Sequence, residues 1–150
     1  MKTSLLSILL FSTILLHGQY YRERFGCKMG FPNVLGITNE YMIAKKVGLT
    51  TDFSCDNFID RSWLFIYGDI GLRKYARRPG KGFYYTAGAG YMWSRKNMRV
   101  TRNSFIPRFG LGYHAMAGRF SLSPEIGGMV WDHQPTLYMT IDIGMAFNYK

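Results

Sequence analysis

Nine charged residues could do chemistry here, because each falls on the side of an alternating stretch whose other positions are small. They are Arg24, Lys28, Arg73 and Arg108 with Glu40, Asp52, Asp69, Glu125 and Asp142, the last five being most of the nine acidic residues in the 150-residue chain. Nearly balanced charges in a narrow interior satisfy one another as a ladder of ion pairs; a proton or ion path is the sharper use of such a row. His114 falls on the same side. His133, Ser104, Ser121 and Asp132 complete the residues from which a hydrolase or acyltransferase could be assembled. That chemistry needs a nucleophile bonded to a base and a third group orienting it, and no spacing here forces one, so the chain is not read as an enzyme. Arg95, Lys96, Arg99 and Arg102 form a basic cluster suited to phosphates or an acidic partner. Cys27 and Cys55 lack metal-ligand spacing, and the glycines recur at period two within strands, where no phosphate loop opens a helix. Metal, cofactor and nucleic acid are therefore not expected.

The elements that must position these residues are strands. From Leu137 to Tyr149 the odd positions are Leu137, Met139, Ile141, Ile143, Met145, Phe147 and Tyr149, while Tyr138, Thr140, Asp142, Gly144, Ala146 and Asn148 lie between them. Period two is strand geometry, and this run exceeds the roughly 9 to 11 residues a tilted strand needs to cross a bilayer. Similar alternation predicts strands over 24–31, 35–43, 47–54, 62–75, 83–93, 105–114 and 120–130. The stretch 62–75 is irregular, because Trp63, Phe65 and Tyr67 share the side that later carries Asp69, Gly71 and Arg73; a bulge would repair it. The connections are read as turns at 44–46, Arg77–Lys81 and Ala117–Gly118, a polar loop at 56–61, a basic loop at 95–103 and an opening at 132–135.

Eight strands joined by hairpins make an up-and-down antiparallel meander, and eight is the smallest number that closes around side chains alone. Size decides which face is inside. One face carries Phe, Tyr, Trp, Leu, Ile and Met throughout, more bulk than so narrow an interior accepts, while the other holds Gly26, Gly36, Gly48, Gly71, Gly88, Gly90, Gly110, Gly112, Gly127 and Gly144. The small, charged face is the lumen, and the bulky face needs hydrocarbon. A soluble barrel carrying a lipophilic ligand is the alternative with the faces reversed. Cys27 and Cys55 then fall outward on strands one and three, about 10 Å apart and beyond bridging range, so two free thiols are expected.

Residues 1–18 read as a signal peptide: Lys2, an apolar run from Leu5 to Leu16, and Gly18 near the cleavage point. Residues 19–150 then form one domain. The net charge of +10 and the 17% aromatic content fit a surface that meets acidic groups and a chain rich in strands.

On these features the chain resembles the small eight-stranded outer-membrane β-barrel proteins of Gram-negative bacteria, whose final strand alternates apolar positions and ends on an aromatic. Here Lys150 follows Tyr149. The resemblance implies the cell outer membrane, contact with its lipid, and recognition of the C-terminal strand by the barrel-assembly machinery. It implies a structural, adhesive or surface-interaction role with a packed lumen rather than an open pore, or a lipid-modifying enzyme as the alternative. It also sets the basic cluster on the extracellular side, facing lipopolysaccharide phosphates or an acidic surface partner.

Overall fold

Residues that alternate in size at every second position form strands whose two faces differ, and eight of them account for the folded chain. The structure, a computed structural model, describes residues 22–31, 35–56, 63–77, 80–96, 99–117 and 119–148. The strands are β1 (Arg22–Phe31), β2 (Gly36–Ala44), β3 (Val47–Asp56), β4 (Trp63–Tyr75), β5 (Gly82–Lys96), β6 (Arg99–Ala117), β7 (Phe120–Trp131) and β8 (Gln134–Asn148). Each pairs antiparallel with its successor and β1 pairs with β8, so the sheet closes into the expected up-and-down barrel and leaves no free edge. The signal peptide read at 1–18 and the terminal Tyr149 lie outside the described residues.

Bulky apolar side chains turn outward, as their size required. Phe109 on β6 is 68% exposed and Leu137 on β8 77%, with Phe25, Ile70, Leu122, Ile126 and Ile143 also exposed on the same surface. Inward positions are small, polar or charged, apart from clusters of Met, Ile and Tyr toward the two ends. Cys27 and Cys55 are free and lie on the outer face.

Several sequence expectations change in the structure. The irregularity in β4 needs no bulge, because its ladders with β3 and β5 run without a shift from one end to the other. Phe65 and Tyr67 simply point inward, and Gly90 on β5 makes room for the Tyr67 ring; a Cβ at that glycine would collide with it. Tyr84 lies against Gly112 and Tyr138 against Gly110 and Gly127 in the same manner. The glycine face therefore does more than thin the wall. It supplies slots in which three tyrosine rings lie.

The basic loop also changes. Arg95 and Lys96 end β5, Arg99 and Arg102 begin β6, and the ladder pairs Ser94 with Arg102, Arg95 with Val100 and Lys96 with Arg99, with one register shift after Ser94. The cluster is thus a strand tip rather than a loop from 95 to 103. The opening at 132–135 shortens to Asp132 and His133, with Trp131 and Gln134 already paired. Both turn residues adopt left-handed φ angles, 51° and 63°, which a tight type I′ hairpin needs and Asp tolerates. Short and long connections therefore do not sort by rim. One rim, called here the terminus rim, carries both ends of the barrel and the connections at 45–46, 76–81 and 118–119; the far rim carries those at 32–35, 57–62, 97–98 and 132–133.

Candidate functional site

The lumen is layered, and each layer comes from strand positions at the same height. Toward the far rim, Tyr67, Met92, Ile106, Met129 and Tyr138 form a buried apolar cluster, with Phe65 and Trp131 packed against it. Toward the terminus rim, Met42, Tyr75 and Tyr84 form a second. Between these two plugs lie the nine charges read from the sequence, at or near full burial apart from Lys28, which is half-buried.

These charges form one connected network. Lys28 on β1 pairs with Asp52 on β3, which also accepts a bond of 2.6 Å from the Thr38 hydroxyl. Arg108 on β6 reaches Asp52 at 3.2 Å, Asp69 at 2.8 Å and Glu125 at 2.9 Å. Arg73 on β4 spans the lumen to Glu40 at 2.9 Å, Glu125 at 3.1 Å and Asp142 at 3.2 Å. Arg24 closes the chain of contacts through Asp142 at 2.9 Å and Glu40 at 3.6 Å, and donates to Ser123 at 2.9 Å.

Four cations face five carboxylates, and neutral donors stabilise the excess negative charge. The Tyr75 hydroxyl donates to Glu40 at 2.6 Å, and those of Tyr84 and Tyr138 donate to Glu125 at 3.0 and 2.7 Å. The Arg73 guanidinium also stacks 4.2 Å from the centre of the Tyr84 ring. A charge stripped of water costs several kcal/mol unless its lone pairs and protons are all engaged. The tyrosines and arginine forks meet most of that condition, leaving Asp69 Oδ2, Asp142 Oδ1 and the Nε of Arg24, Arg73 and Arg108 without a hydrogen-bond partner among the described residues. Two cavities remain inside, one of about 10 Å³ beside Arg24, Glu40 and His114 and one of about 20 Å³ beside Lys28, Asp52 and Tyr67, each with room for roughly one water.

One pairing departs from the register. Asp142 lies opposite Lys28 on the β1–β8 ladder, with Arg24 on the same strand and face as Lys28. Its carboxylate goes to Arg24 and Arg73, while the Lys28 side chain crosses to Asp52.

The remaining candidates do not converge. His114 is buried near the terminus rim, its Nδ1 2.9 Å from the Tyr75 hydroxyl. His133 and Asp132 are exposed in the far-rim hairpin. Ser121 lies beside Arg24, and Ser104 sits in β6 opposite Met92. Among the described residues no group of three or more His, Cys, Asp and Glu could hold a metal ion. The sequence reading missed the plugs. Met42, Tyr84, Met92 and Tyr138 stood in its lumen-facing set, but their significance lay in recurring near strand ends at matching heights.

No family model and no curated protein matches the sequence. Among solved structures, the N-terminal β-barrel domain of Pseudomonas aeruginosa OprF superposes with a TM-score of 0.63 at 16% identity, over 87% of this chain and 100% of that one. This chain has the fold of the small outer-membrane barrels. The Yersinia pestis outer membrane protein Ail, in a phospholipid bilayer nanodisc, superposes with a TM-score of 0.56 at 10% identity over the same shares. At such identities the shared feature is the eight-stranded closed barrel.

Proposed function

We propose that the chain is an outer-membrane barrel with a structural and surface-interaction role, its lumen sealed rather than conducting. The observation that carries this reading is the paired charge layer held between two apolar plugs. A continuous apolar outer surface supports the location, since a barrel is one of two architectures that satisfy every backbone group in hydrocarbon. That Ail is an outer membrane protein of the same fold adds to it. The apolar alternation of β8 suits recognition by the assembly machinery.

Enzyme chemistry is disfavoured by the separation of His114 from His133 and Asp132. A soluble carrier is disfavoured by an interior filled with charges and an exterior of Phe, Leu and Ile. In cell fractionation the protein should enter the urea-insoluble outer-membrane fraction, and the unheated sample should migrate faster on electrophoresis than the boiled one. Recovery in the periplasm would overturn the reading.

The surface role is assigned to the β5–β6 end of the far rim, where the two strands are joined by two residues. Arg95, Lys96, Arg99 and Arg102 at the tip of β5 and β6 suit the phosphates of lipopolysaccharide. Replacing all four with Ser should leave the heat-dependent migration intact and weaken lipopolysaccharide retention, most visibly at low salt. Unchanged, salt-insensitive retention would reduce the cluster to a solvated tip.

A further inference from the structure

The β6–β7 ladder is interrupted near the terminus rim: pairing stops at Gly112 with Glu125 and resumes at Ala115 with Leu122. Pro124 lies in the interruption and has no N–H to give a neighbouring strand. On the outer face there, a groove of about 530 Å³ opens among Phe83, Tyr85, Leu111, Tyr113, Pro124 and Ile126. Tyr84 and Glu125, which also border it, are buried with their hydroxyl and carboxylate bonded to each other in the lumen.

The rim above this groove is basic. Lys45, Lys46, Lys74, Arg77, Lys81 and Arg119 are all exposed there, and Glu23 is the one carboxylate at that rim among the described residues. Lys74 is the register partner of Tyr85, and Lys81 lies just before β5, two residues from Phe83. Arg119 occupies the β6–β7 turn, three ladder pairs beyond the gap and against Ala146 of β8. The inner charges nearly cancel, so these residues set the field at this end of the barrel.

We infer that this face is a site for an anionic phospholipid of the leaflet at the terminus rim, with an acyl chain in the groove and its phosphate on Lys74 and Lys81. The inference rests on the barrel being membrane-spanning. A soluble phosphate could use the rim cations but would leave the apolar groove empty; a zwitterionic lipid could fill the groove but would gain little from the rim. Only a ligand with both parts matches both features.

The test uses the full folded protein in a non-ionic detergent, with dioleoylphosphatidylglycerol or dioleoylphosphatidylcholine added and retained lipid counted by native mass spectrometry. Phosphatidylglycerol should be preferred roughly tenfold, as cations near a membrane surface each favour anionic lipid. Lys74→Ser and Lys81→Ser together should abolish the preference, whereas Leu111→Trp, which fills the groove, should lower retention of both lipids. Glycerol phosphate, lacking acyl chains, should not compete at equal concentration. Equal retention of the two lipids, a preference that survives the double change, or effective competition by glycerol phosphate would each overturn the site. Failure of the membrane reading would look different: the protein would not insert into vesicles of either lipid.

Discussion

Arg73→Met should destabilise the barrel by about 3 to 5 kcal/mol, the cost of removing one member of a buried ion pair, and the upper end of that range is expected. Arg73 is 1% exposed and is the one side chain that touches Glu40, Glu125 and Asp142 together. Its loss leaves three carboxylates close to one another in a space from which water is excluded, and frees the Tyr84 ring it stacks on. Arg73→Lys retains the charge but lacks the planar fork that bonds Glu40 through one nitrogen and Glu125 and Asp142 through the other, so it should recover only part. Urea unfolding in detergent micelles measures both. A loss under about 1 kcal/mol for Arg73→Met would mean that solvent reaches the charge layer.

Asp142→Leu should cost a similar amount, about 3 to 5 kcal/mol, because it takes from Arg24 its close carboxylate, leaving Glu40 at 3.6 Å, and weakens the hold on Arg73. The second substitution identifies the partner. Arg24→Met in the Asp142→Leu background should recover part of the loss, since it removes the underpaired cation. Lys28→Met should recover none and add a loss of its own, because Lys28 serves Asp52. Recovery by Lys28→Met would show that the backbone register, rather than side-chain reach, sets the pairs. Were the apolar face inward, Asp142 would be exposed and its replacement would cost within about 0.5 kcal/mol.

Much of this fold was legible because alternation is a local property. The run from Leu137 onward specifies a strand residue by residue, and the contrast between Phe109 or Ile126 outside and Gly110 or Gly127 inside follows from volume alone. The inward direction of Phe65 and Tyr67 was not legible, since it depends on Gly90 one strand away, and a tyrosine is readily taken for an outer-face residue. The second partner of Asp142, Arg73, escaped for another reason. A closed barrel brings opposite walls within reach, so Arg73 on β4 meets Asp142 on β8, and no adjacent-strand register contains that contact. The basic cluster was read as a loop because Lys, Arg and Asn are poor strand formers; the ladder runs through it regardless.

The central claim is a sealed lumen, and single-protein current recording in planar bilayers tests it most directly. With the folded protein inserted, the account predicts a flat baseline with no long-lived steps at high potassium chloride, because the charge layer and both apolar plugs would have to part for an ion to pass. Reproducible, long-lived conductance steps from the unaltered protein would contradict it.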